Sequence, residues 1–277
     1  MVVLIWGGSY SAIKATQPFF PPLAFAAFRC AVAAAVLAAA AWPAGALRPG
    51  FRSRDWGQVV LLGLLGTTVF HVLIVTGVHH TSPAHAAILV ALSPLFASLL
   101  ARFLLGERLG ARRLGGIGLA FAGVVLIVTR AGGGTASWLG DLLCLGASLA
   151  WALYTVFGKP LLTRVTPLGV TTWAGILGAI PLLPLGLPGL TAVRWGELSV
   201  ERWLLVGYLS AGTIALANLL WYWALARWTT ARVVAFSNLI PLVATGIAVG
   251  AGQEAMTPAL GLGAAAVLCG VVVAQRA

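Results

Sequence analysis

The chain has 277 residues, of which 60% are hydrophobic and only 8% are charged, and its formal net charge is +11. Its mean hydropathy is +1.00. Charge-poor runs of about 18 or more residues recur along the sequence, which is typical of a polytopic helical membrane protein and excludes an ordinary soluble domain. In a membrane protein the positive charge is expected in cytoplasmic loops, so it does not indicate nucleic-acid binding.

The sequence carries no pattern typical of catalysis or of cofactor binding. It has no phosphate-binding loop, zinc-ligand spacing or nucleophile elbow. Its cysteines, Cys30, Cys144 and Cys269, lie in apolar runs without a CxxC spacing, which predicts packing residues and neither disulfides nor metal ligands. We therefore expect a protein that is not an enzyme and holds no cofactor or metal. Its expected partners are a small-molecule substrate and the lipid bilayer, and the chain is expected to act as a monomer or a dimer.

The apolar stretches predict ten membrane-spanning helices joined by short connections that Pro, Gly or Arg marks. Their expected bounds are 1–16, 20–42, 57–78, 82–105, 112–130, 137–158, 166–186, 201–225, 229–251 and 257–275. The expected fold class is therefore an all-α integral membrane protein.

The second half of the sequence repeats the first. Pro94, Glu107 and Gly123 match Pro241, Glu254 and Gly270, all at a separation of 147 residues. Near the start of each half, Trp6, Lys14 and Pro22 match Trp151, Lys159 and Pro167 at a separation of 145. Such a fixed spacing predicts two copies of one module, at 1–130 and 137–277.

Each module holds five predicted spans, and an odd number means that the second copy lies upside down in the bilayer. Inverted repeats of this kind place the substrate site between the halves, near mid-membrane. By the same alignment the first span would begin before Met1, so we expect either that a few N-terminal residues are missing from the sequence, which we favour, or that the first helix spans the bilayer only in part.

The basic residues predict the orientation, because cytoplasmic loops carry an excess of Lys and Arg. With an internal N-terminus, ten basic residues are internal: Arg48, Arg52, Arg54, Arg108, Arg112, Arg113, Lys159, Arg164, Arg227 and Arg276. Three are external: Arg130, Arg194 and Arg202. We therefore expect both termini in the cytoplasm.

Glu107 and Glu254 each stand where one predicted helix ends and the next begins. The free N–H groups of the following helix would accept a carboxylate there. Each glutamate is therefore either a cap that stabilises the turn or a gating residue, Glu107 at the inner end and Glu254 at the outer end.

Pro94 and Pro241 each remove a backbone hydrogen bond and are expected to kink or break a helix near its middle. Polar residues precede both prolines: Ser93 before the first, and Ser237 and Asn238 before the second. Packing kinks are one interpretation, and broken helices that line a cavity and move during gating are the other.

Three basic residues fall within or near predicted spans. Arg29, which we include among the gating candidates, lies inside the second span, where a charge must face protein, water or a partner unless it extends to the membrane surface. Lys14 and Lys159 lie near helix ends, so they either reach the surface in the same way or take part in gating.

Aromatic and polar residues lie deep in the predicted spans at helical spacing. Pairs that share a helix face are Trp6 with Tyr10, Trp151 with Tyr154, and Asn218 with Tyr222. With Trp173, Ser237 and Asn238 they are candidates for a substrate cavity, although an aromatic stripe is also typical of packing. His71, His79, His80 and His85 cluster around the third and fourth spans, and we include His85 among the candidate binding residues. No carboxylate lies deep in a predicted span, so the sequence favours facilitated diffusion over coupling through a buried acid.

Five stretches together resemble the EamA-type branch of the drug/metabolite transporter superfamily. The first half carries IWGGSYSAIK, PPLAFAAFR and ALSPLFASLLARFLLGERL, and the second half repeats them more loosely as LAWALYTVFGKPLL and SNLIPLVATGIAVGAGQE. The resemblance covers essentially the whole chain. It implies ten helices in an inverted five-plus-five arrangement and export of small metabolites, often amino acids. The amino-acid exporters of this family, including the YddG-like group, have a largely apolar central cavity, with which the deep tryptophans are compatible.

We therefore expect an inner-membrane exporter of small metabolites, in particular hydrophobic or aromatic amino acids, that works by alternating access as a facilitative uniporter. A transporter or exchanger of a sugar, nucleotide sugar or organic anion is the first alternative, and it would need several basic groups in the cavity. A membrane assembly protein without transport activity is the second. A lipid-modifying enzyme would need a catalytic constellation that the sequence does not offer.

Overall fold

The computed structural model describes residues 1–48, 50–105, 110–130, 137–228, 233, 236–237 and 239–275. Within these ranges the regular structure is helical, with no strand. The helices of the first half are α1 (Val2–Thr16), α2 (Pro22–Ala41), α3 (Ser53–His80), α4 (Pro83–Val90), α5 (Ser93–Leu105) and α6 (Ala111–Arg130).

The second half contributes α7 (Trp138–Gly158), α8 (Pro167–Ala179), α9 (Leu182–Leu190), α10 (Val200–Arg227), α11 (Ile240–Gly250) and α12 (Pro258–Gln275). A 3₁₀ turn, Lys159–Thr163, continues α7, and a second one, Trp195–Glu197, precedes α10.

Helix starts follow local sequence signals. The hydroxyls of Ser82, Ser137 and Thr166 accept backbone N–H bonds at the first turns of α4, α7 and α8. Proline takes the first turn of α2, α4 and α8, where its missing N–H costs nothing and its fixed φ favours the helix. The sequence therefore sets these boundaries locally.

Four helices among the described residues are long and apolar enough to cross a membrane: Pro22–Ala41, Ser53–His80, Trp138–Thr163 and Val200–Arg227. The bent pair α8 and α9 makes a fifth if it counts as one span. Shorter apolar helices are Pro83–Ala97, Leu114–Leu126, Ile240–Gly250 and Pro258–Ala274. The all-helical membrane class expected from the sequence is therefore confirmed at this level.

Two predicted spans are interrupted, and the sequence predicted a kink or break only in the one that holds Pro94. The span predicted at 82–105 stops at Val90 and resumes at Ser93, so Pro94 sits in the first turn of α5. The span predicted at 166–186 bends by 56° between α8 and α9. Pro181 lies at that bend and cannot supply a backbone N–H to the preceding turn, which accounts for the break.

Helices α3 and α10 each contain a π-helical segment, Leu64–Val69 and Tyr208–Leu216. A Cβ added to Gly66 in the first segment would overlap the Tyr154 ring, so only glycine allows this close approach. Such segments displace backbone groups from the regular helical ladder and make them available to other partners.

Helices α6 and α12 pack closely and run antiparallel. A Cβ added to Gly116 would lie 2.7 Å from the Gly270 carbonyl oxygen, and one added to Gly123 would lie 2.7 Å from that of Gly263. Backbones come this near only where both helices present small residues. As the residue number rises along α6, the number of the facing residue on α12 falls, so the two helices run antiparallel.

Candidate functional site

An internal cavity lies where helices from both predicted repeats meet. Its lining includes seven residues predicted from the sequence as binding or gating candidates: Trp6, Tyr10, Arg29, Pro94, Trp151, Asn218 and Ser237. The volume that the centres of water molecules can occupy is about 80 Å³. A single water needs roughly 10–15 Å³ on that measure, so the cavity has room for a small solute.

Three tryptophans form one wall of this cavity. The ring centroid of Trp6 lies 5.2 Å from that of Trp151 and 5.3 Å from that of Trp221, and the last two are 5.9 Å apart. Phe70 extends the wall, with its ring 5.2 Å from Trp151. These are edge-to-face and tilted contacts that favour a fixed arrangement. The wall is therefore a rigid aromatic surface contributed by both halves of the chain.

The orientation of Trp6 depends on the π-helical segment of α10. Its indole Nε1 donates a hydrogen bond to the Thr213 carbonyl oxygen at 3.0 Å. At the same contact between α1 and α10, the Tyr208 hydroxyl donates a hydrogen bond to the Ile5 carbonyl oxygen at 2.5 Å. The segment thus holds α1 in place by two hydrogen bonds, one accepted by a backbone carbonyl oxygen and one donated by a side-chain hydroxyl.

Arg29 is the charged side chain of the cavity. It is only 3% exposed, so it does not extend to the membrane surface, and its guanidinium carbon lies 5.5 Å from the centroid of the Phe25 ring. Its Nε and Nη1 atoms are buried and have no hydrogen-bond partner among the residues that the structure describes.

Two neutral donors in the same lining are also buried without a partner in the described part of the chain. They are the Thr155 hydroxyl and the indole nitrogen of Trp221. Neither aspartate nor glutamate occurs among the described residues of the lining. The described lining therefore offers buried donors and no negatively charged acceptor.

His71 lines the cavity as well, and the sequence interpretation did not select it. It is 3% exposed, and its Nδ1 lies 2.9 Å from the Thr67 carbonyl oxygen. A carbonyl oxygen only accepts hydrogen bonds, so Nδ1 carries the hydrogen. In the neutral ring Nε2 is then an acceptor. Its helical spacing from Thr67 was visible in the sequence, but the direction of that face was not.

Tyr154 and Tyr222 do not line the cavity and instead support its wall from behind. The Tyr222 hydroxyl donates to the Tyr154 carbonyl oxygen at 3.2 Å, and the two rings are 5.0 Å apart. The Tyr154 ring in turn lies 5.2 Å from Trp151. A Cβ added to Gly158 would overlap the Tyr222 hydroxyl, so this layer has no spare room.

Trp173 lies away from the cavity. Its ring is 5.0 Å from Trp56, and its indole nitrogen donates to the Leu47 carbonyl oxygen at 3.3 Å. The structure places it in a separate aromatic contact near the start of α3. Its depth in the sequence did not reveal which side of α8 it occupies.

His85 and Glu254 also lie outside the cavity, in a polar group at one end of the bundle that we call the Glu254 cluster (Thr81, Ala84, His85, Asp141 and Glu254). Glu254 Oε2 accepts the Ala84 N–H at 3.2 Å, and Oε1 lies 3.8 Å from His85 Nε2. His85 Nδ1 lies 3.6 Å from Asp141 Oδ1, which accepts the Thr81 hydroxyl at 2.7 Å.

The cap interpretation from the sequence placed Glu254 at the N-terminus of the helix that follows it. The structure places it elsewhere. It caps α4, 170 residues away along the chain. The helix that follows, α12, has its own cap, because the Thr257 hydroxyl accepts the Leu260 N–H at 3.2 Å. Gly252, with φ of 66°, turns the chain so that the carboxylate reaches α4.

The ammonium groups of Lys14 and Lys159 donate hydrogen bonds to carbonyl oxygens at helix ends. Lys14 Nζ donates to the carbonyl oxygens of Val78, His79 and Thr81 at 2.9, 3.2 and 3.0 Å. These acceptors are the last carbonyls of α3, where a positive charge is favourable.

Lys159 makes the corresponding contact with α10. Its Nζ donates to the Leu225 carbonyl oxygen and to the Trp228 carbonyl oxygen, the latter at 2.9 Å. At the same end of the bundle Arg164 makes two hydrogen bonds of 2.9 and 3.0 Å to the Asp55 carboxylate, which raises the pKa of Arg164.

The remaining candidates are placed only in part. Pro241 lies in the first turn of α11, which matches the place of Pro94 in α5. Glu107 and Asn238 lie outside the described residues.

Comparison with known proteins matches the EamA-like transporter family at residues 1–129 and 138–275, which is nearly the whole chain. The chain belongs to the EamA-like transporter family. It is therefore a membrane transporter of the EamA type, and the resemblance stated from the sequence is confirmed.

Several relatives are similar over almost their full length. A probable terminal-alkyne amino-acid exporter of Streptantibioticus cattleyicolor is 30% identical over 282 residues, covering 100% of this chain and 91% of the relative. A probable amino-acid metabolite efflux pump of Escherichia coli is 28% identical, covering 99% and 92%. The uncharacterized transporter YyaM of Bacillus subtilis is 28% identical, covering 97% and 89%.

The fold also matches a protein of known crystal structure. The two share a TM-score of 0.71 at 25% sequence identity, and the match covers 99% of this chain and 93% of the other. The helical arrangement described above is therefore one that has been observed in a crystal.

Proposed function

We propose that this EamA-like transporter is an inner-membrane exporter of hydrophobic or aromatic amino acids. It works by alternating access as a facilitative uniporter, and the cavity lined by Trp6, Trp151 and Trp221 is its substrate site. The observation that carries the proposal is this rigid aromatic wall, to which both halves contribute, together with the buried Arg29, whose Nε and Nη1 lack a hydrogen-bond partner among the described residues. An aromatic side chain packs on such a wall while its polar head meets the donors.

The architecture in this proposal is ten transmembrane helices in two inverted repeats, 1–130 and 137–277. Its first support is that the family matches each of these two parts separately. Its second support is the antiparallel α6–α12 contact. There Gly116 packs against Gly270, and Gly123 packs against Gly263. The separation of 147 residues relates Gly116 to Gly263 and Gly123 to Gly270, so the repeat converts each contact pair into the other. Reciprocal contacts of this kind are expected on a two-fold axis.

In this architecture both termini are cytoplasmic, because that orientation places the larger number of basic residues inside. The Glu254 cluster and Lys14 then belong to the external end, and Lys159 with the Asp55–Arg164 pair belongs to the internal end. Contacts at opposite ends of one cavity are what alternating access requires.

The gating part of the proposal assigns a contact to each end. Glu254 and Lys14 close the outer end by bonding to the N-terminus of α4 and the C-terminus of α3. Lys159 and Glu107 act at the inner end, and for Glu107 this stays a prediction from the sequence. The interruption before Pro94 and the equivalent place of Pro241 in the first turn of α11 supply the movement.

The test is efflux from liposomes that contain purified protein and are preloaded with labelled amino acids, with and without a pH gradient. We expect efflux of phenylalanine, tryptophan or leucine without a gradient, above that of protein-free liposomes. Efflux of no amino acid, from protein shown to be folded, would overturn the proposed substrate. Efflux that needs a gradient would overturn the uniporter mechanism and make His71 the first residue to replace.

A further inference from the structure

The cavity holds a buried positive charge that the described protein does not neutralise. Arg29 is 3% exposed, and its Nε and Nη1 lack a hydrogen-bond partner among the described residues. A buried charge is costly unless it is paired and hydrogen-bonded. The Phe25 ring, 5.5 Å away, offers an attractive face but accepts none of the fork's in-plane N–H groups. The neighbouring Cys30 sulfur is only a weak acceptor for the guanidinium, so stronger acceptor atoms beside Nε and Nη1 would stabilise this charge.

Two more donors in the lining would also be stabilised by an acceptor. The Thr155 hydroxyl on α7 and the Trp221 indole nitrogen on α10 are buried without a partner in the described ranges. Arg29 itself is on α2, so three separate helices bring donors to one space. A site with converging unpaired donors and no acidic residue among its described lining suits an anion.

The repeat offers no structural reason for this charge. At the separation of 145 residues that relates Lys14 to Lys159, Arg29 corresponds to Ala174, which is buried. The fold therefore accepts a small neutral residue at the matching place in the second half. The charge of Arg29 is therefore explained by ligand binding in the cavity and not by the requirements of the fold.

We propose that the cavity selects its substrate by the carboxylate, which Arg29 binds as a charge-assisted fork with Thr155 and Trp221 as further donors. The substrate class is apolar or aromatic monocarboxylates, of which hydrophobic amino acids are one group, and the amine contributes little to selection. This inference rests on the proposed function for the transport itself. It goes further by naming the recognised group and the residue that recognises it.

The amine is the weaker determinant because the cavity offers it no negative partner. An ammonium group would share the space with Arg29, and the described lining supplies neither aspartate nor glutamate to offset that repulsion. The aromatic body of the ligand contacts the wall of Trp6 and Trp151 in either case. Removing the amine therefore costs at most a hydrogen bond to a neutral acceptor such as His71 Nε2, whereas removing the carboxylate leaves Nε and Nη1 of Arg29 without a hydrogen-bond partner.

The test uses three ligands that share a phenyl group: 3-phenylpropanoate, phenylalanine and phenethylamine. Their binding to purified protein in detergent is measured by titration calorimetry. We expect 3-phenylpropanoate and phenylalanine to bind, and phenethylamine to bind at least about tenfold more weakly, the loss typical of a missing charged hydrogen bond. In Arg29→Gln the first two should weaken by about tenfold or more. Phenethylamine binding as tightly as phenylalanine, or an Arg29→Gln variant that binds 3-phenylpropanoate like wild type, would overturn the proposal.

A second pair of variants keeps the test decisive if Arg29→Gln does not fold. Thr155→Val and Thr245→Val each remove one buried hydroxyl that lacks a partner among the described residues, but only Thr155 lines the cavity. We expect Thr155→Val to weaken 3-phenylpropanoate binding by about threefold to tenfold, and Thr245→Val to leave it unchanged. Equal binding by both variants would contradict the assignment.

The outcome separates this inference from the proposed function. If wild type and Arg29→Gln export amino acids equally well, the inference fails and the proposed function stands. If 3-phenylpropanoate binds through Arg29 while no amino acid leaves the liposomes, the proposed substrate fails and the inference stands.

Discussion

Lys14 and Lys159, the only two lysines of the chain, make the same kind of contact at positions 145 residues apart. Each donates to the last carbonyl oxygens of a long helix, α3 for Lys14 and α10 for Lys159. The acceptors Thr81 and Trp228 are themselves 147 residues apart. The donor and the acceptor of the Lys14 contact thus both recur, at nearly the same separation along the chain, in the Lys159 contact.

Lys14→Met should lower the melting temperature of the purified protein in detergent. The substitution keeps the apolar stem but leaves the terminal carbonyls of α3 without a charged donor, at a cost of roughly 2 kcal/mol. Arg48→Met, which removes an exposed positive charge, is the matched control and should leave the melting temperature unchanged. Equal melting temperatures for the two variants would show that the Lys14 contacts contribute nothing.

Gly270→Ala and Gly118→Ala should change stability in opposite directions. A Cβ at position 270 would lie 2.5 Å from the Gly116 carbonyl oxygen, so α6 and α12 must move apart, at a cost of roughly 1–3 kcal/mol. A Cβ at position 118 meets nothing within 4 Å, and alanine favours a helix over glycine by up to about 1 kcal/mol. Thermal unfolding in detergent measures both. A Gly270→Ala variant as stable as Gly118→Ala would be inconsistent with the close contact.

Two substitutions of Glu254 distinguish its interpretation as a helix cap from its interpretation as a gate. Glu254→Ala removes the acceptor for the Ala84 N–H and should cost about 1 kcal/mol of stability. Glu254→Gln keeps an acceptor oxygen but loses the charge that faces His85, so it should fold like wild type.

The two interpretations differ in the transport of the Glu254→Gln variant. We expect its efflux from liposomes to fall several-fold while its melting temperature stays near that of wild type. Wild-type efflux from a stable Glu254→Gln variant would leave Glu254 as a cap alone.

The Asp55–Arg164 pair should show measurable coupling. Asp55 accepts two hydrogen bonds from Arg164, whose side chain is 34% exposed, so a favourable coupling is expected that weakens at high salt. A double-mutant cycle of Asp55→Asn and Arg164→Met measures it, with Arg54→Met as the control for the loss of a nearby exposed charge. Strict additivity of the two substitutions would argue against the pair.

Local signals in the sequence predicted much of the fold. Pro94 marks the interruption between α4 and α5, because a proline cannot donate a backbone N–H to the turn that precedes it. Trp6 and Trp151 were predicted as deep aromatic residues from their equivalent places in the repeat, and both line the cavity. The family resemblance rested on short motifs at these same points.

Features that depend on packing between distant segments could not be predicted. The partner of Glu254 is on α4, because Thr257 already caps α12, and no pattern near Glu254 indicates this. The separation of Trp173 from the cavity follows from the direction of one face of α8. The π-helical segment that holds Trp6 has no distinct sequence signature, since it arises where α10 meets α1.

The central claim, that the solute crosses through the cavity between the two halves, is tested most directly by blocking that cavity. Ala97 lines it, and Ala44 is exposed outside the helices. In a background where Cys30, Cys144 and Cys269 are replaced by alanine, a cysteine is introduced at either position and modified with a bulky methanethiosulfonate, and efflux of labelled phenylalanine is measured. The account predicts that modified Ala97→Cys loses efflux, that excess phenylalanine slows its modification, and that modified Ala44→Cys transports normally. Complete modification of Ala97→Cys with undiminished efflux would contradict it.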